Sequence, residues 1–197
     1  MEGKNGRFRF YLNEYLNVMT HDDEYNKVGT SMTALRQTVD LSAFPDLVVV
    51  YLGMRVNVLT GIKTLLGFGP KIEDSVAAEP DGLLLHENLI YSFFPPHFGM
   101  RQYWRDFESL ERWTRSEPHR SWWKRFLRDT GGTGFWHELY AVRGGFEAMY
   151  VDVRQPTGFL RFATSLPAKG DLFSARGRLR RGGVAETPAP YSEKEIS

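Results

Sequence analysis

The stretch that decides the fold is residues 103–140, YWRDFESLERWTRSEPHRSWWKRFLRDTGGTGFWHELY, which contains all five tryptophans of the chain. Its pattern predicts the end of a strand, a helix capped by Asp106 and interrupted at Pro118, a glycine loop and a second strand. A helix between two strands is half of a ferredoxin-like unit. The stretch therefore predicts an α+β fold with helices on one face of an antiparallel sheet.

The clearest strand signal lies at residues 47–59, LVVVYLGMRVNVL, where two faces alternate. One face grows more polar along the chain, from Val49 and Tyr51 to Arg55 and Asn57. We therefore expect Arg55 and Asn57 to face something other than the helix layer. The other face is apolar throughout and suits packing under helices; it comprises Val48, Val50, Leu52, Met54, Val56 and Val58.

The remaining elements complete the predicted order. Residues 60–78 predict a helix that is broken or kinked near Pro70. Strands are predicted at 83–94 and 97–104, and a hairpin strand at 146–153 follows the quoted stretch. The order β-α-β-β-α-β plus one hairpin strand predicts a ferredoxin-like sheet.

The chain divides into three predicted regions. Residues 1–46 are expected to form an N-terminal extension and residues 47–167 the α+β domain. Residues 168–197 have almost no apolar mass and are expected to be a disordered tail. Because the open sheet face carries Val49 and Tyr51, we expect a second copy to cover it, which predicts a homodimer.

Composition excludes several classes of function. The net charge of +1 gives no indication of nucleic-acid binding, and the absence of cysteine excludes disulfides, thiolate metal sites and cysteine nucleophiles. No apolar run approaches the ~18 residues of a membrane span, and no signal-peptide core is present at the N-terminus. We expect a cytoplasmic protein that binds neither membrane nor nucleic acid.

Several motifs resemble one known family. They are VVVYLGMRVN, the aromatic helix segment, GFWHELY, and FEAMYVDV with the following Pro156-Thr157-Gly158. In combination they are similar to a monooxygenase-like family of bacteria and fungi, named after a member in fumagillin biosynthesis, within the dimeric α+β barrel superfamily. The resemblance covers about residues 28–162. It implies the barrel fold, a homodimer and oxygenase chemistry.

Two neighbouring residues, His137 and Glu138, are candidate catalytic groups. Because side chains alternate along a strand, they point to opposite faces. His137 could act as a general base or bind iron if it faces a cavity, or be a hydrogen-bonded core histidine. Glu138 could be catalytic, or form a structural pair with Arg55 or Arg101.

A cofactor-free site can be assembled from these residues. The resemblance implies the chemistry of the superfamily's cofactor-free oxygenases, in which a stabilised substrate carbanion reacts directly with dioxygen. Such a site needs a base, oxyanion donors and a dry apolar pocket, and Arg55 and Asn57 are the candidate donors beside His137 and Glu138. The alternative is a structural role for most of them. The expected substrate contacts are Tyr51, Tyr103, Trp104, Trp136 and Tyr140.

Heme is the alternative cofactor. His119 resembles the helix-borne heme ligand of heme-degrading relatives, although it follows Trp113 about one helical turn too soon. Aldoxime dehydratases of the same superfamily also use heme. His21, His86 and His97 are scattered without zinc-type spacing, so no metal site is expected.

Three hypotheses follow. The first is a cofactor-independent monooxygenase-like enzyme acting on a small apolar, polyketide- or terpenoid-like metabolite. The second is a heme-binding dehydratase or oxygenase. The third is a non-catalytic dimer that binds a small ligand.

Overall fold

The computed structural model describes residues 34–153 and 155–184. The strands are β1 Arg36–Asp40, β2 Val48–Val56, β3 Leu83–Phe93, β4 Pro96–Trp104, β5 Thr133–Ala141, β6 Tyr150–Val151 and β7 Thr164–Pro167. The helices are α1 Thr60–Ala77, α2 Phe107–Arg115, α3 His119–Arg128 and α4 Ala175–Arg181. Short 3-10 turns cover Val142–Gly144, Gly158–Arg161 and Gly170–Leu172. None of the helices in these ranges has the length and apolar character needed to cross a membrane.

The main sheet has four strands in the order β3-β4-β2-β5, and every neighbouring pair is antiparallel. Helix α1 lies between β2 and β3 in the chain, and α2 and α3 lie between β4 and β5. This is the ferredoxin-like arrangement. The predicted α+β fold class is confirmed.

One face of this sheet packs under the helices, as the alternation in β2 predicts. Val48 and Val50 contact Trp104 and Leu110, and a second cluster joins the far end of β2 to α1 and α3 through Phe126. Val58 was expected on this face, but it lies beyond the end of β2 and is 57% exposed. Burial of these side chains is the main stabilising contribution on this side.

The helix boundaries follow local chemistry in part. The Asp106 carboxylate accepts a hydrogen bond of 2.6 Å from the backbone N–H of Ser109, which confirms the predicted N-cap of α2. The predicted division of the first helix is wrong, because α1 runs unbroken through Pro70. Packing of Leu65 against the sheet outweighs the hydrogen bond that proline cannot make.

A second, three-stranded sheet with the order β6-β1-β7 was not predicted. Strand β1 lies within residues 1–46, which were predicted to form an N-terminal extension. Instead of a hairpin strand along β5, the predicted segment 146–153 supplies only β6, which pairs with β1. The short, mixed pattern RQTVD carries little strand signal, and Val39 and Leu41 are buried by aromatic residues from distant segments.

The chain after residue 167 also differs from the expected disordered tail. Residues 168–184 include α4, where Arg178 is only 7% exposed. The Arg178 guanidinium pairs with Glu147 and donates to the carbonyls of Leu172 and Phe173. This burial could not be predicted from the sequence, because an arginine-rich pattern does not show which guanidinium finds hydrogen-bond partners inside the protein. Most of the predicted extension (1–33) and the last residues (185–197) lie outside the described residues.

Candidate functional site

Strand register arranges the side chains of the helix-free face, here called the open face, into four rows. Neighbouring positions across antiparallel strands lie close enough for their side chains to interact. Row A contains Ser92, His97, Arg55 and Gly134; row B contains Leu89, Gly99, Gly53 and Trp136; row C contains Glu87, Arg101, Tyr51 and Glu138; row D contains Leu85, Tyr103, Val49 and Tyr140.

Much of row D is covered by the chain itself. Val49, Leu85 and Tyr103 pack against Phe159 and Phe162 from the segment that follows β6. Tyr103 is 3% exposed; its ring makes an edge contact with Phe159 and a tilted contact with Phe162. Burial raises the pKa of its hydroxyl. Tyr103 was expected to bind substrate, but its ring is enclosed by this packing.

Row C holds a charged network. Arg101 forms an ion pair of 2.6 Å with Glu87 and donates to the Tyr51 hydroxyl at 3.1 Å. Burial disfavours its charge, but the bonds to Tyr51 and Glu87 outweigh burial and raise the pKa of Arg101. A structural pair with Arg101 or Arg55 was one of the two alternatives for Glu138. Instead its carboxylate accepts a hydrogen bond of 2.5 Å from the Tyr140 hydroxyl, and Glu138 is exposed.

Row B forms a floor because two glycines face each other across β2 and β4. A Cβ on Gly53 would lie 2.9 Å from the Trp136 indole nitrogen, and a Cβ on Gly99 would lie 2.7 Å from the Tyr91 ring. The two rings therefore occupy the space that side chains would fill. Tyr91 is 44% exposed, so an aromatic surface reaches the solvent here.

Row A brings a histidine and an arginine together. Arg55 and His97 are register partners, and Trp136 donates its indole N–H to His97 Nε2 at 2.8 Å. Burial and the charge of Arg55 lower the pKa of His97. The Asn57 amide lies beside Gly134 at the same end of the face. His97 was not among the predicted site residues, because the local sequence predicts the strand but not the register that pairs His97 with Arg55.

The open face therefore joins most of the predicted strand residues and excludes two of them. Tyr51, Arg55, Trp136, Glu138 and Tyr140 share it, with Asn57 at its end. His137 pairs with Leu52 on the helix side of β5, where it is exposed. Trp104 also faces the helices with 0% exposure, so it belongs to the core and not to a substrate surface. Strand alternation explains both exclusions.

His119 lies at the start of α3, between two tryptophans. Its ring centroid is 4.6 Å from that of Trp113 and 6.5 Å from that of Trp122. Because a carbonyl can only accept, its Nδ1–H donates to the Thr114 oxygen at 3.0 Å, and Nε2 carries the lone pair. Burial lowers the pKa of His119, so the neutral form is favoured.

Two cavities lie away from the open face. One, of about 380 Å³, lies between α1 and the junction of α2 and α3, with Trp113 and Trp122 in its wall. The other, of about 220 Å³, lies beside β1 and Arg178. In the single chain, rows A to C form a surface at which Arg55 and Glu138 are exposed, and Tyr140 of row D is exposed beside them.

The fold and the polar, aromatic open face define a ferredoxin-like α+β barrel protein. The chain belongs to the monooxygenase af470-like family, whose model matches residues 47–159. The resemblance seen in the sequence is confirmed.

Known relatives include aliphatic aldoxime dehydratases of Rhodococcus globerulus and Rhodococcus erythropolis, each 43% identical over 49 residues. That match covers 24% of this chain and 14% of each enzyme. A crystal structure of an aldoxime dehydratase with butyraldoxime superposes with a TM-score of 0.58 and 20% identity over 82% of this chain. The chain spans 48% of that structure. SnoaB, a cofactor-independent oxygenase from Streptomyces nogalater, gives a TM-score of 0.38 at 14% identity over 48% of this chain and 91% of its own.

Proposed function

We propose that the chain is a monooxygenase-like oxidoreductase that uses no cofactor of its own and acts on a small apolar, polyketide- or terpenoid-like metabolite. One observation carries the proposal: the glycine floor of row B lies between cationic Arg55 in row A and the Glu138 carboxylate in row C. An oxyanion donor and a proton acceptor therefore flank one aromatic surface. The family supports oxygenase chemistry.

Each residue has a separate role in this proposal. Arg55, with Asn57 beside it, stabilises the negative charge that develops on a substrate oxygen. Glu138 accepts a proton from the adjacent carbon, while Tyr140 orients the carboxylate. Rows A and C are four residues apart along β2, which is roughly 13 Å between Cα atoms. Two side chains that reach inward reduce this span to the size of a small molecule.

The proposed reaction balances with dioxygen as the only co-reactant. Glu138 removes a proton from a methylene next to a carbonyl or phenol, giving a carbanion delocalised onto the oxygen held by Arg55. The carbanion transfers one electron to dioxygen, and the resulting radicals combine to form a carbon–oxygen bond. The peroxide anion takes back the proton from Glu138, and the hydroperoxide then loses water, so that CH₂ and O₂ give C=O and H₂O.

A homodimer is part of the proposal. Tyr91 and Tyr140 are exposed on this sheet face, where the segment around Phe159 covers Val49, Leu85 and Tyr103 of row D. A second copy over rows A to C would exclude water from the substrate surface and strengthen the electrostatic contribution of Arg55. Light scattering at micromolar concentration tests this: a dimeric mass supports it, and a monomeric mass contradicts it.

Oxygen uptake tests the proposed function. The chelator-treated protein, without added heme, is screened with enolisable ketones and phenols, and products are identified by mass. With a turned-over compound, Arg55→Ala should lower kcat/KM roughly 100-fold and Glu138→Gln by a similar factor. Glu111→Gln, on the surface of α2, is the matched control. Ligand binding without uptake across the panel would instead support a non-catalytic dimer.

A heme-dependent, aldoxime-dehydratase-like enzyme is the second candidate, favoured by the local identity to the Rhodococcus enzymes. His119 would be the ligand, because its Nδ1–H is held by a carbonyl and Nε2 carries a lone pair. The surrounding space does not fit the group in this arrangement, since Trp113 packs on His119 and the layer between sheet and helices is filled by Trp104 and Phe126. No step is therefore derived through heme.

A heme titration separates the two candidates. Saturable one-to-one binding with a sharp Soret band, lost in His119→Ala, would favour the heme enzyme and show that α2 and α3 separate from the sheet. An unchanged absorption spectrum would remove the second candidate. Nitrile formation from an aldoxime by the loaded protein would provide independent support for it.

A further inference from the structure

The hydrogen bond between Trp136 and His97 can have only one polarity. The indole Nε1–H is a donor and never an acceptor. At 2.8 Å from it, His97 Nε2 must present its lone pair. A neutral His97 therefore carries its proton on Nδ1, and protonation at Nε2 would break the bond to Trp136.

The surroundings of His97 favour this neutral state. Tyr91 stacks on the imidazole with 4.6 Å between ring centroids and 26° between planes. Arg55, the cationic register partner, opposes a positive imidazolium next to it. Burial acts in the same direction. Because the Nε2 lone pair of this neutral imidazole already accepts the indole N–H of Trp136, His97 has no free lone pair to act as a base, and its Nδ1–H is a donor.

The Nδ1–H is available to a ligand. Within residues 34–153 and 155–184, no hydrogen-bond partner of Nδ1 is present, and no buried side-chain nitrogen or oxygen lacks one. His97 Nδ1 therefore reaches the surface of the open face. It does so in row A, beside the guanidinium of Arg55 and next to the aromatic floor of row B.

We propose that His97 donates its Nδ1–H to an anionic oxygen of a flat, conjugated ligand, together with Arg55, and that Trp136 is the positioning residue that fixes this tautomer. The ligand class follows from the chemistry: exposed rings offer a stacking surface, and a cation with a neutral donor suits an enolate, phenolate or carboxylate. The inference rests on the proposed function only for the reaction that follows binding.

The first experiment needs no ligand. Nitrogen NMR of histidine-labelled protein at neutral pH reports which imidazole nitrogen of His97 carries the proton. We expect the Nδ1–H tautomer, and a shift towards a tautomer mixture in Trp136→Phe. Trp123→Phe, on the helix side, is the control that should leave His97 unchanged. A proton on Nε2 in the wild-type protein would overturn the inference.

The second experiment uses 2-naphthoate, a flat conjugated carboxylate, as the probe in calorimetric titrations. The Asn amide occupies the place of Nδ1, and the longer Gln amide occupies that of Nε2. We expect His97→Asn to keep binding within about threefold, while His97→Gln and His97→Ala weaken it roughly tenfold or more. Equal loss in His97→Asn and His97→Gln would contradict donation from Nδ1.

The two proposals can fail separately. If the tautomer and probe results are as expected but no compound supports oxygen uptake, the proposed anion site at His97 is supported and the proposed monooxygenase reaction is contradicted. If uptake depends on Arg55 but free His97 carries its proton on Nε2, the reaction stands and this inference is wrong.

Discussion

Arg101 and Glu87 form a 2.6 Å ion pair through one carboxylate oxygen of Glu87. The other oxygen of Glu87 binds residues that lie about 70 positions later in the chain. Glu87 Oε1 accepts hydrogen bonds of 3.0 Å from the Thr157 hydroxyl and from the backbone N–H of Gly158. Phe159 follows directly and packs on Tyr103. The pair therefore fixes the segment that covers row D.

Glu87→Gln should lower the free energy of unfolding by about 1.5–3 kcal/mol. The half-buried Arg101 guanidinium loses its charged partner, and the donors of Thr157 and Gly158 lose a carboxylate acceptor. Urea denaturation measures the change. Glu111→Gln removes an exposed i,i+4 pair on α2 and should change stability by no more than about 0.5 kcal/mol. Equal effects in the two variants would show that the Glu87 network does not hold the segment.

Acid should weaken the protein through His86. The indole of Trp104 donates to Gln102 Oε1, the Gln102 amide donates to His86 Nδ1, and His86 Nε2–H donates to Asn88. The direction of this chain is fixed by the donor-only indole, so a proton on Nδ1 has no acceptor.

Burial lowers the pKa of His86 below its ordinary value of 6.5, against the opposing bond to Asn88 and the charges of Glu73 and Glu87. Because the unfolded chain then binds more protons, stability is complete above pH 6.5 and is lost as pH falls towards the folded pKa. His86→Asn keeps an acceptor for Gln102 without titrating. Unfolding free energies from pH 7 to 5 should fall less steeply in this variant, and parallel slopes would contradict the role of His86.

The glycine floor predicts a graded set of substitutions. A Cβ on Gly99 would lie 2.4 Å from the Leu52 carbonyl, so Gly99→Ala should cost about 1–3 kcal/mol of stability. The three atoms nearest to a Cβ on Gly53 all belong to the Trp136 ring, which can shift, so Gly53→Ala should cost less and displace the indole from His97. Gly67→Ala, in open space on α1, should stabilise by about 0.5–1 kcal/mol. Urea denaturation measures all three, and equal costs at Gly53 and Gly99 would contradict this packing.

The sequence predicts the main sheet because its apolar alternation and helix spacing are local. Val48 and Val50 face the helices as the period of two requires, and Arg55 lies on the other face as expected. The positions of β1, the segment around Phe159 and α4 depend on contacts between residues far apart in the chain, which periodicity does not encode.

The candidate site shows the same limit. Arg55 and Asn57 were predicted because one face of the β2 segment becomes polar along the chain, whereas Trp104 was assigned to the site on aromatic character alone. His97 becomes a candidate site residue only once the strand register is known, because the register places it opposite Arg55 and within hydrogen-bond distance of Trp136. That register is set by the packing of the whole sheet and by the glycine pair, not by the local sequence of β4.

The most direct test compares kcat/KM of Arg55→Ala and His137→Ala on one turned-over compound, because these residues lie on opposite faces of the same sheet. With the open face as the site, Arg55→Ala should lose roughly 100-fold and His137→Ala should stay near wild type. A large loss in His137→Ala with full activity in Arg55→Ala would place the chemistry on the helix side and contradict the account.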